Sequence, residues 1–82
     1  MGDVQLSVDD VRRYLKRVYE VSEGSPDVFI SEEAVAKELG FENSKMARIV
    51  SDLKERGFVE GAGVYGPLIV ITTLGVRQAK MW

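Results

Sequence analysis

The sequence predicts an α+β fold: a three-helix core, a two- or three-stranded antiparallel hairpin sheet and a short closing helix. Three observations lead there. Apolar residues recur at three- and four-residue steps through the early part of the chain. Two strand-like runs, "FVE" and "LIVIT", are separated by the turn-rich stretch "GAGVYGP". Glycine or proline punctuates the junctions, at Gly24, Pro26, Gly40 and Gly57.

The first helix is expected from Ser7 to about Ser22. Val8, Val11, Leu15, Val18 and Tyr19 form its apolar stripe, with Tyr14 at the border. Ser7 reads as the N-cap, and Asp9 and Asp10 suit the positive end of the helix dipole. Arg12, Arg13, Lys16 and Arg17 cover roughly 140° of the opposite face. "SEGSPD" then ends the helix, and "VFI" at Val28 to Ile30 reads as a short strand.

Ser31 reads as the cap of a second helix, "EEAVAKEL", which stops at Gly40 in a left-handed C-cap. Val35, Ala36 and Leu39 face inward, with Phe41 just beyond. A third helix starts near Asn43 or Ser44. Its stripe is Met46, Ile49, Val50 and Leu53, and Gly57 terminates it. The two strands of the hairpin follow, and the closing helix "TLGVRQAKM" is capped by Thr72 or Thr73.

Composition narrows the function. The chain has 82 residues, enough for one domain (1–82), and at 45% hydrophobic and 29% charged it belongs with folded proteins. It has no histidine and no cysteine, which removes the usual neutral-pH base, the commonest metal ligand and thiolate chemistry. The adjacent acidic pairs, Asp9-Asp10 and Glu32-Glu33, sit at helix starts, where the dipole accounts for them. The expectation is a non-enzyme without cofactor or metal. The longest apolar run, Leu68 to Ile71, is too short to cross a bilayer, and the start of the chain does not read as a signal peptide. A cytoplasmic protein with no membrane partner is expected.

The segment "EEAVAKELGFENSKMARIVSDLKERGFVEG" resembles the core of small winged helix-turn-helix DNA-binding proteins, of the MarR-like and archaeal transcription-regulator type. Leu39-Gly40-Phe41 matches the end of that family's first motif helix. Leu53, Gly57, Phe58 and Val59 match the passage from its recognition helix into the wing, and "ITTLG" matches the entry to its closing helix. The resemblance covers about residues 28 to 80. It implies transcription regulation through double-stranded DNA, with a recognition helix of about residues 44–56 in the major groove. Ser44, Lys45, Arg48 and Ser51 then face the groove, and Arg48 can pair with guanine through its two-pronged donor. An Arg48–Asp52 pair along the helix is the plain structural alternative. Tyr65 on the wing and Arg12 and Arg13 on the first helix are expected to meet phosphate.

Three features depart from the family pattern. Glu42 stands where a serine or threonine cap is common, Asp52 and Glu55 lie along the exposed side, and the wing tip is uncharged. Together with the net charge of −2 they support a second expectation. This is a protein-interaction module using the apolar wing and the basic first helix, with a protein partner in place of DNA. The "LIVI" run is apolar on both faces, so its outer side needs a cover. Either Trp82 at the chain end or a second subunit supplies it. A homodimer, to which Tyr14 and Tyr19 contribute, would read half-sites about one helical turn apart.

Overall fold

The computed structural model describes residues 6–62 and 67–82. In chain order the elements are α1 (Val8–Ser22), β1 (Ile30–Ser31), α2 (Glu32–Leu39), α3 (Asn43–Glu55), β2 (Val59–Ala62), β3 (Leu68–Ile71) and α4 (Thr73–Met81). The strands form one three-stranded antiparallel sheet in the order β1-β3-β2. The architecture is α+β, four helices and this sheet, and it is compatible with a winged helix.

Local chemistry sets the helix boundaries. Ser7 Oγ accepts the Asp9 N–H at 3.2 Å, Ser31 Oγ accepts the Ala34 N–H at 3.2 Å and Thr72 Oγ1 accepts the Gly75 N–H at 2.9 Å. Gly40 closes α2 in the left-handed region at φ 75°. α1 ends at Ser22, and its C-cap falls one residue before the glycine. Glu23 itself is left-handed at φ 54°, and the Gly24 N–H closes the turn on the Tyr19 carbonyl at 3.1 Å.

The strand ahead of α2 is displaced from the expected Val28 to Ile30. Only Ile30 and Ser31 pair, with Ile69 and Leu68. The Glu32 N–H donates to the Pro67 carbonyl at 3.1 Å, which draws the ladder toward the helix start. Val28 and Phe29 are left outside it, 37% and 61% exposed. β2 likewise begins at Val59, because the Phe58 N–H is used to close α3 on the Leu53 carbonyl at 2.9 Å.

One apolar cluster joins every helix to the sheet. Tyr14 lies in it, fully buried beside Leu15 and Val18, and not at the border of α1 as the spacing suggested. It is therefore core and not available to a dimer interface. Its hydroxyl donates to the Glu32 carbonyl at 2.9 Å, which satisfies the phenol and ties α1 to the first turn of α2. Trp82 is also placed away from the outer side of β3. It packs edge-on against Phe58 with ring centroids 6.0 Å apart and lines a small cavity with Leu6, Val8 and Val11.

α4 comes unusually close to the start of the hairpin. The Thr72 N–H donates to the Phe58 carbonyl at 3.0 Å, and Thr72 Oγ1 donates to the Gly57 carbonyl at 2.6 Å. Gly75 is buried there, and a Cβ on it would fall onto the Phe58 carbonyl.

Two outcomes test this packing. Gly75→Ala should lower unfolding stability by about 2–3 kcal/mol in urea titration, because backbone must move to admit the methyl. Burial, reinforced by the Glu32 charge, raises the Tyr14 phenol above its ordinary pKa. The neutral phenol is thus favoured by folding, and its contribution is complete below about pH 10 and declines above it. Tyr14→Phe should cost about 1 kcal/mol at neutral pH. The gap between wild type and variant should narrow as the pH is taken past about 10.

Candidate nucleic-acid interface

α2 and α3 are joined by a short turn of Gly40, Phe41 and Glu42. With Met46, Ile49, Val50 and Leu53 of α3 turned into the core, the opposite side carries Ser44, Ala47, Arg48 and Ser51, all exposed, with Glu55 in line. These residues are an outward ridge. Ala47, Arg48 and Ser51 line an open hollow of about 340 Å³ together with Leu6, Asp52 and Glu55. Small side chains on either side of one arginine leave room for another molecule to approach the helix backbone.

The start of α3 differs from that of the other helices. Its N-cap residue, Glu42, is extended at φ −71° and ψ 159°, and its side chain makes no capping bond. No acidic residue lies in the first turn. Among the described residues no side chain caps the N–H groups of this turn, and the helix dipole makes the position favourable for an anion.

Lys45 is not on the ridge. It lies about 100° around the helix from Ser44, and its ammonium points to α1. Lys45 Nζ is 2.9 Å from Asp10 Oδ2 and 5.0 Å from the centre of the Phe41 ring. The Arg13 guanidinium lies 5.5 Å from the same ring and 3.8 Å from Asp10 Oδ1. Asp10 and Phe41 thus gather two of the expected phosphate contacts into a clasp between α1, the turn and α3. The pairing follows from tertiary packing, so no local pattern announces it, although Asp10 on the flank of α1 is the half of it that the sequence displays.

The remaining cations divide in the same way. Arg56 Nε holds Asp52 at 2.9 Å, so Asp52 is engaged from the C-terminal side. Lys54 reaches the largely buried Glu32 carboxylate at 3.8 Å. Arg17 joins Glu38 at 2.6 Å and Glu20 at 3.2 Å. Arg12 is exposed on the flank of α1 opposite Asp10, away from α3. The structure therefore brings Ser44, Arg48 and Ser51 together, sets Lys45 and Arg13 beside them in ion pairs, and keeps Arg12 apart. Tyr65 lies outside the described residues. Asn43, exposed at the first position of α3, lies off the ridge toward α2, where it borders a separate hollow with Glu33, Lys37 and Phe41.

Among the described residues, no group of three or more acidic or other ligating side chains is placed to hold a metal ion, and no helix is long and apolar enough to cross a membrane. Compared with family models, with curated proteins and with solved structures, the chain matches none.

The clasp makes a definite prediction. A double-mutant cycle on Asp10→Ala and Lys45→Ala, read by thermal unfolding, should give a coupling of about 0.5–1 kcal/mol, the range of partly exposed pairs. Ser51→Ala, on the open ridge, should leave the midpoint unchanged.

Proposed function

We propose that this chain is a winged helix-turn-helix protein that binds double-stranded DNA as a cytoplasmic transcription regulator, with α3 as its recognition helix. The observation that carries this reading is the outward ridge of α3. It offers a base-reading arginine at Arg48, hydroxyls at Ser44 and Ser51, and an N-terminal turn without a side-chain cap. Such a ridge suits entry into a major groove, where the arginine meets guanine and the hydroxyls meet bases or phosphate. The order of helix, turn, helix and hairpin agrees with this use, and the resemblance of residues 28 to 80 to small winged-helix regulators adds to it. Arg12, exposed on α1, is left for a more distant phosphate, whereas Lys45 and Arg13 would contribute through the positive field of their clasp.

One observation favours a second reading, a winged-helix module that binds another protein. Most cations on or beside α3 already face carboxylates of their own chain: Lys45 and Arg13 face Asp10, Lys54 faces Glu32 and Arg56 faces Asp52. That arrangement reduces the positive charge on offer to a polyanion and suits a mixed-charge protein surface.

The two are separated by titrating isotope-labelled protein with a mixed-sequence duplex, at low and then physiological salt. DNA binding should shift the amides of residues 43–51, with the shifts shrinking as salt rises. No change in those amides at low salt would turn the search to protein partners. Once a preferred duplex is found, Arg48→Ala should weaken binding by about 1–3 kcal/mol and relax the preference for it.

A further inference from the structure

The clasp at Asp10 has an inside and an outside. The carboxylate is the inner member, its side chain 17% exposed, whereas Lys45 and Arg13 are the outer members at 32% and 50%. Each carboxylate oxygen takes one cation, Lys45 at Oδ2 and Arg13 at Oδ1. Two oxygens of a DNA phosphate would ask the same of these side chains. The Phe41 ring is near both cations, 5.0 Å from the ammonium and 5.5 Å from the guanidinium, and attracts them whether or not the carboxylate is charged.

The position of the clasp ties it to the α3 ridge. Lys45 is in the first turn of α3, next to Ser44 and three residues before Arg48. Arg13 approaches from α1 over Phe41, in the turn that leads into α3. Both answer to one acid on α1, 35 residues before Lys45. A duplex seated on α3 therefore meets these two cations already matched with negative charge.

We propose that Asp10 withholds Lys45 and Arg13 from DNA and so limits the share of affinity that comes from phosphate contacts. The inference rests on the DNA-binding reading of α3 and names a determinant of its strength. Phosphate contacts supply affinity to every sequence alike, whereas a base contact such as that of Arg48 distinguishes one sequence from another. An acid that neutralises two flanking cations lowers the first contribution and spares the second. Asp10 is thus a positioning residue that acts on DNA through the side chains it holds.

The test is the salt dependence of duplex binding, read by fluorescence anisotropy from about 50 to about 200 mM salt. It compares the full chain with Asp10→Asn, Lys45→Ala and the two combined. Asparagine keeps the size of the side chain and removes its charge. Asp10→Asn should bind a mixed-sequence duplex at least about fivefold tighter at the low-salt end, and its plot of log affinity against log salt should steepen by about 0.9–1.8. Lys45→Ala should barely alter the wild-type slope, yet take back about 0.9 of the gain in the Asp10→Asn background. Asp10→Ser, a second charge-removing variant, should behave like Asp10→Asn, and amide spectra check that each chain is folded. A mere strut between α1 and α3 would not move the slope. An unchanged slope or weaker binding in Asp10→Asn, or a Lys45→Ala effect equal in both backgrounds, overturns the proposal and leaves the DNA reading in place. Absence of binding by both wild type and Asp10→Asn at the low-salt end overturns the DNA reading, and the proposal with it.

Discussion

The buried phenol of Tyr14 is the contact on which the arrangement of this chain depends. A tyrosine can sit at the centre of so small a core only if its hydroxyl finds an acceptor, and the Glu32 carbonyl supplies one at 2.9 Å. That carbonyl belongs to the first residue of α2, directly after the two-residue strand β1. A single bond therefore relates the longest helix, the sheet edge and the start of the helix pair. The Glu32 side chain extends the link to α3 through Lys54. Once α1 and α2 are held at this point, the short turn at Gly40 leaves α3 little freedom, and its outer ridge is presented by default.

Asp10 does a comparable task on the flank of α1, at lower energetic cost because its partners are partly in water. Two cations and an aromatic ring converge there, and the result is a rigid approach to the N-terminal end of α3. Side chains already ordered in the free protein lose less entropy when a ligand arrives. The cost is electrostatic, because charge neutralised within the chain attracts a polyanion less strongly over distance. On the proposed DNA reading, selectivity would come from shape and from Arg48 more than from bulk attraction.

Much of the fold was legible from local rules. Ser7, Ser31 and Thr72 cap helices as their side chains dictate, Gly40 takes the left-handed position, and the stripe of α3 points into the core. What was not legible depends on partners distant in sequence. The 100° wheel places Tyr14 at the edge of its stripe, because the wheel contains nothing of α2. Lys45 reads as a groove-facing cation until Asp10, 35 residues earlier, is brought beside it. The strand before α2 shifted because Ser31 and Glu32 serve the ladder and the helix at the same time. On the ridge, Ser44, Arg48 and Ser51 were visible in the helical period, because all three lie opposite the stripe that enters the core.

The clamp at the base of the hairpin has a consequence for how such a chain can change. Thr72 bonds to Gly57 and Phe58, Gly75 lies against the Phe58 carbonyl, and β2 and β3 pair from Val59–Ile71 to Ala62–Leu68. The two stems are thus fixed in position and register from their root upward, without reference to what joins their far ends. Loop closure between ends already held together depends only weakly on loop length. The connection between Ala62 and Pro67 is therefore a modular site, where a different loop can be grafted without reopening the core.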